Sequence, residues 1–249
     1  MTPLSETLLS DKAGTLRPVA LLGGHQLHWQ AWGGLLNAVR TGRTAFEMVH
    51  GIGFFDALAN EPDLLAQFHL ISDLTHDRSL IEALGVGRYR RIVDVGGGTG
   101  ALACRIATEH PQVEVILFDR PEVIAAAPAL AAVTTVAGNF FKDIPKGADA
   151  YILKFVTHDW DDVDVVRLLS CCARAMATDA RLLIVEVVLP DDATPSSAKT
   201  HDVNMLVLTG GRERTFAEYR ELLRQAGLAL LSCSMTEQGV SVLEAARDQ

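Results

Sequence analysis

Cysteine is scarce in this chain and carries no pattern. Cys104, Cys171, Cys172 and Cys233 are the only four in 249 residues, and they form neither a CxxC pair nor a zinc-type spacing. They read as free thiols of a reducing compartment. The eight histidines are dispersed and include no HExxH, so a zinc-hydrolase site is not expected. Basic clusters are also absent: the net charge is -9 and the Lys and Arg residues are scattered, which argues against a nucleic-acid partner. No apolar run approaches the length of a membrane span. The opening "MTPLSETLLSDKAG" has no basic region followed by an apolar stretch, so it does not read as a signal peptide. A cytoplasmic protein is the expectation.

What the chain does have is apolar content. At 49% hydrophobic it can build one sizeable core, with a smaller part attached. Residues 1–88 read as helices with no good strand. "HWQAWGGLLNAVR" places Trp29, Trp32, Leu35, Leu36 and Val39 at helical spacing, and Trp29, Trp32 and Phe55 are expected in the core. The segment from Gly51 to Gly85 reads as two or three more helices, broken near Asn60–Pro62. Such a segment needs a partner surface to cover its apolar faces.

At Arg90 the pattern changes, and residues 89–249 read as a second domain. Strands "RIVDV", "VEVILFD", "VTTVAG", "DAYILKF" and "ARLLIVEVVLP" alternate with helical stretches. "LALLSCSMT" and "VSVLEAA" close the chain as an antiparallel pair. Continuously apolar strands alternating with helices predict an α/β fold with a doubly wound, mostly parallel sheet. Thr215 and Glu218 form a capping box ahead of "FAEYRELLRQAG", with Gly227 at its end.

Between the first strand and its helix lies "VDVGGGTGA", with Asp94, Gly96, Gly98 and Gly100. Glycines there permit a tight turn and close approach of a ligand to free N–H groups. Asp119, at the end of the next strand, is placed to take both hydroxyls of a ribose. Gly96, Gly98 and Ala101 also satisfy a loose dinucleotide pattern. Asp94 favours a nucleoside cofactor with a cationic amino group instead, since a pyrophosphate would be repelled by it.

The ordered runs "VDVGGGTGALA", "FDRPEV", "GNFF", "ILKFVTHDWDD", "LLIVEVVLP" and "GGRERTFAEYRELLRQAG" resemble the S-adenosylmethionine-dependent O-methyltransferases. The resemblance is to the caffeic-acid-like plant enzymes and their bacterial antibiotic and hydroxyneurosporene relatives. It extends upstream through "WGGLLNAVRTGRTAFEMVHGIGFFDAL". It implies a Rossmann-like methyltransferase sheet preceded by linking helices, and S-adenosyl-L-methionine as cofactor. Asp94, Gly96, Gly98, Asp119 and Arg120 would hold that cofactor, with Asn139 and Phe140 flanking the adenine and Lys154 close by. Asn139 replaces the family's usual Asp and can still accept through its amide oxygen.

The resemblance further implies methyl transfer to a hydroxyl, phenolic by preference, of a small aromatic secondary metabolite, with no metal. His158 would be the general base, able to take a proton near neutral pH. Glu186, a carboxylate inside an apolar strand where an unpaired charge is expensive, and Glu213 would flank it. Asp159 matches an acidic neighbour of substrate or base. Asp202, Asn204 and Met205, with His201 beside them, fall where the family lines its acceptor pocket. The alternatives are a loop histidine bonded to backbone and a Glu213 paired with Arg212 or Arg214. Asp161 and Asp162 read as the cap of the following helix. His69 and Ser72 depart from the family's Asn and Met. Members also carry a winged-helix-like dimerisation domain ahead of the linking helices, and this chain is expected to start after it, through a short or split gene or a Met1 that is not the full start. The implied partner is therefore either a second copy of the chain or a separate protein supplying that domain. Other chemistry on the same cofactor (hydroxylation, decarboxylation or a pericyclic step) and a non-catalytic subunit role are the competing readings.

Overall fold

The computed structural model describes all residues except 1, 13, 74–77, 238 and 249, together with the side chains of 72, 73 and 78. The side chain of Ser72 therefore lies outside the described residues.

The chain forms two compact units. The first comprises 1–75 and 202–210, the second 76–201 and 211–249. Short helices build the first unit, among them Gln26–Gly33, Leu35–Thr41, Ala45–His50, Phe54–Ala59 and Pro62–Asp73. The apolar stripe expected as one helix is split at Gly34, and the split resets which residues face inward. Ala31, Ala38 and Ala45 are wholly buried there, beside Phe46, Phe54 and Leu58. Trp29 was expected in the core and is instead 74% exposed, with Leu36 and Val39 also outside. Trp32 and Phe55 pack against the core cluster as expected.

The second unit is a seven-stranded sheet in the order β3-β2-β1-β4-β5-β9-β8. The strands are β1 (Arg91–Val95), β2 (Glu114–Asp119), β3 (Val133–Ala137), β4 (Ala150–Lys154), β5 (Arg181–Glu186), β6 (Val188–Leu189), β7 (Arg214–Thr215), β8 (Leu228–Met235) and β9 (Ser241–Arg247). The first five strands in that order are parallel, and β9 runs antiparallel to both β5 and β8. The doubly wound sheet with an antiparallel closing pair is thus observed as expected. β1, β4 and β5 are buried almost throughout, which is why they read as continuous apolar runs. Strand order reverses between β1 and β4, the place where open α/β sheets bind ligands at their carboxyl ends.

One strand differs from expectation. "ARLLIVEVVLP" is not continuous: β5 ends at Glu186, and β6 leaves the main sheet to pair in parallel with β7. Glu186, the last residue of β5, is wholly buried. The β6–β7 pairing then brings Glu213, the residue before β7, to the same place.

Candidate active site

The loop after β1 folds over Asp94. Gly96 and Gly98 take φ of +71° and +60°, in the left-handed region that favours glycine. A Cβ on Gly97 would stand 2.5 Å from Asp94 Oδ2, so the loop lies directly on the carboxylate. Asp94 is 1% exposed, and neither of its oxygens makes a hydrogen bond of normal geometry. Burial pushes its carboxyl up to about 7, partly offset by the charge of Lys154 and reinforced by Asp119. Such an orphaned acceptor suits a cationic donor.

Asp119 ends β2 beside this loop. Its Oδ2 accepts from Gly98 N–H at 2.8 Å and its Oδ1 from Arg120 N–H at 2.6 Å. The remaining lone pairs stay free for hydroxyl donors. Burial raises its carboxyl despite these two bonds. The Arg120 side chain turns to Glu122 at 3.2 Å. Asn139 is exposed, and its amide oxygen accepts from Phe141 N–H at 2.8 Å, which leaves that oxygen capacity for one further donor. Phe140 packs edge-on to Phe141 and Trp160. Lys154 is buried, with Nζ 4.6 Å above the Phe155 ring.

β4 then delivers the turn that carries His158. Phe155 takes φ +54°, sparsely populated for a bulky residue, and its ring stacks on His158 at 5.7 Å. A strained residue of this kind persists only where its surroundings hold it. Here Glu186 does so: its Oε1 accepts from Thr157 N–H at 2.9 Å, Thr157 Oγ1 at 2.7 Å and His158 N–H at 3.3 Å. Arg214, wholly buried, donates to the carbonyls of Thr157 and Trp160 and pairs with Asp162. Gly211 closes the turn from the far side, where a Cβ would lie 1.9 Å from the His158 carbonyl oxygen.

The imidazole of His158 therefore has a fixed orientation. Nδ1 lies 3.0 Å from Glu186 Oε2 and 3.2 Å from Glu213 Oε1, while Nε2 lies 3.7 Å from Asp159 Oδ1. Burial alone would favour the neutral ring, but Glu186, Asp159 and Glu213 outweigh it and hold His158 well above the usual histidine range. Burial would also raise Glu213, yet its bonds to His158 and His201 hold it down at about 2. Burial lifts Asp159 to about 7, and the two glutamates add to that against the pull of His158.

The structure thus brings His158, Glu186, Glu213 and Asp159 together. Glu213 does not take the alternative pairing, since Arg212 turns to Glu218 and Arg214 to Asp162. Asp161 caps the helix Asp162–Ala175, accepting from Asp164 N–H at 2.8 Å.

His201 was read only as an acceptor-pocket neighbour, and it stands in this cluster: its Nδ1 is 2.6 Å from Glu213 Oε1, and its ring centroid is 5.5 Å from that of His158. Nothing in "KTHDVNM" signals that contact. Arg214 was readable only as one charge in "RERT". Asp202, Asn204 and Met205 belong to the first unit. There the amide oxygen of Asn204 accepts from Trp32 Nε1 at 3.1 Å and lies 3.2 Å from His28 Nε2. Met205 is buried.

A switch-point glycine loop, a carboxylate at the end of β2 and a buried histidine between two glutamates define a class-I methyltransferase fold with a proton-accepting site. The comparisons with known proteins make this specific. The O-methyltransferase domain family matches residues 32–229, and the chain belongs to that family. It is 36% identical over 257 residues to phenazine O-methyltransferase PhzM of Lysobacter antibioticus, covering 98% of this chain and 74% of that protein. The solved structure of the mitomycin 7-O-methyltransferase MmcR superposes with a TM-score of 0.90 at 32% identity, covering 99% of this chain and 76% of that one. The neocarzinostatin-pathway O-methyltransferase NcsB1, solved with S-adenosylmethionine and 2-hydroxy-5-methyl naphthoic acid, gives 0.86 at 31%, covering 99% and 77%. Among the described residues no helix is long and apolar enough to cross a membrane.

Proposed function

We propose that the protein is an S-adenosyl-L-methionine-dependent O-methyltransferase acting on a hydroxyl of a small aromatic metabolite. The observation that carries this reading is the fixed imidazole of His158, with Nδ1 against two buried glutamates and Nε2 directed away from them. The site fits the cofactor: Asp94 offers a buried carboxylate with no hydrogen bond of normal geometry, and the glycine loop has no room for a side chain at Gly97. When bound, the cofactor supplies a methyl group already activated by a positive sulfur. Asp94, Gly96, Gly98, Asp119, Arg120, Asn139, Phe140 and Lys154 are the residues we assign to holding it.

In its neutral form His158 takes, at Nε2, the proton that the acceptor hydroxyl gives up. The two carboxylates keep the other ring proton on Nδ1 and stabilise the imidazolium that forms, the role an orienting carboxylate plays in a catalytic triad. Raising the basicity of His158 narrows its gap to a phenol, whose ordinary pKa is near ~10. Asp159, Asp202, Asn204 and Met205 are each proposed as acceptor-contacting positions. One solved relative, NcsB1, bound to two different hydroxylated naphthoic acids supports an aromatic acceptor. The four free cysteines support a reducing, cytoplasmic setting. The exposed Trp29, Leu36 and Val39 support association with a second copy or a helical partner.

Incubating the protein with cofactor and a panel of hydroxylated aromatics tests the reading by mass spectrometry. One added methyl group on an aromatic hydroxyl is expected. A product that is hydroxylated or decarboxylated instead overturns it.

The state of Asp94 gives a second expected result. Its carboxyl must be ionised to receive a cationic amino group, and burial pushes it up to about 7. Cofactor affinity should therefore weaken by up to about tenfold per pH unit below 7 and level off above it. Calorimetry at about pH 6 and about pH 8 reads this slope, and Asp94→Asn should bind weakly and without it. An equally steep slope in Asp94→Asn would assign the titration to another group.

A further inference from the structure

We propose that the His158 cluster is also a binding site for a divalent transition-metal ion of the zinc type, with His158, His201 and Glu213 as ligands, and that occupancy switches the base off. All three residues lie within the second unit. One ligand atom from each falls within 4.8 Å of the others. Nδ1 of His158 and Nδ1 of His201 face the same Glu213 oxygen at 3.2 Å and 2.6 Å. Two imidazoles and a carboxylate form a donor set that suits zinc and its neighbours.

Metal–ligand bonds of about 2.0–2.2 Å place tetrahedral ligands roughly 3.3 Å apart. The separation of His158 and Glu213 already matches. The shorter one opens by a small rotation of His201, whose side chain is 42% exposed and leaves an entry path. A second feature points the same way. Nδ1 of His158 and Oε2 of Glu186 are buried 3.0 Å apart, yet neither makes a hydrogen bond of normal geometry. With the Nδ1 proton displaced, both atoms can face a cation where they stand, with Glu186 as the fourth ligand.

The consequence for His158 follows from its two nitrogens. A metal on Nδ1 uses that lone pair, and the one remaining ring proton then sits on Nε2. No lone pair is left for an acceptor hydroxyl. Metal binding stands apart from the reaction; only the switching-off rests on the O-methyl transfer proposed above.

The test uses the full chain after chelator treatment, titrated with Co2+ and followed by visible absorption, without cofactor or acceptor. One equivalent should give d–d bands of nitrogen and oxygen ligation, displaced by Zn2+. His201→Ala and His201→Gln, checked for folding by circular dichroism, should each weaken binding by at least about tenfold. Zn2+ should also inhibit methyl transfer by the wild type, with recovery on adding EDTA. The site is overturned by absence of the bands, by thiolate bands from the free cysteines, or by unchanged affinity in both variants. His201-dependent binding without Zn2+ inhibition of a measurable methyl transfer overturns the switch. A protein that transfers no methyl group counts against the proposed function, and the Co2+ spectrum still decides the site.

Discussion

His158→Ala should lower kcat for methyl transfer by ~10²–10⁴-fold while changing cofactor affinity by no more than about twofold. The split follows from the geometry. The imidazole is fixed by Glu186 and Glu213, whereas most of the residues proposed to hold the cofactor lie on the loop after β1, at the end of β2 and after β3. Steady-state kinetics with calorimetry on the same preparation reads both numbers. Equal loss of turnover and cofactor binding would show that the residue shapes the cofactor site instead of taking a proton.

Glu186→Ala should be the most damaging change to the fold of the site. Glu186 is wholly buried, accepts three hydrogen bonds from Thr157 and His158, and neighbours the raised imidazole. Removing one partner of such a buried arrangement costs about 3–5 kcal/mol, because the groups left behind are unpaired. The loss is read as a lower midpoint in chemical denaturation. The strained Phe155 turn should relax with it, since the bonds to Thr157 and His158 are part of what holds that turn. Glu186→Gln keeps an acceptor for Thr157 and removes the charge. It should lose a smaller part of the stability and most of the turnover. If both variants are as stable as the wild type, Glu186 does not hold the turn.

These two residues also show what the sequence made legible. Glu186 stood out as a charge among apolar neighbours, and an acid in that setting must find partners. The strand alternation gave the parallel sheet, and the glycine loop with Asp94 and Asp119 marked the ligand-binding end. The break after Glu186 was hidden because "VVLP" continues the apolar run, and only the pairing of β6 with β7 separates it. Arg214 looked like a surface charge; its burial depends on carbonyls of the His158 turn that lie more than fifty residues away. His201 gave no signal for the same reason, since its partner Glu213 is supplied by a different element. Trp29 misled because a helical stripe reports a face only while the helix is unbroken, and this one stops at Gly34. The core seam there is made of alanines, which periodicity weights least.

The acidity of the acceptor tests the central claim most directly. If His158 takes the proton, its importance should fall as the phenol becomes easier to ionise. Turnover of wild type and His158→Ala would be compared across phenols of one shape and decreasing pKa. The account predicts that the defect of His158→Ala shrinks steadily along the series and is nearly gone for phenols already ionised in solution. A defect of constant size, indifferent to acceptor acidity, would contradict it.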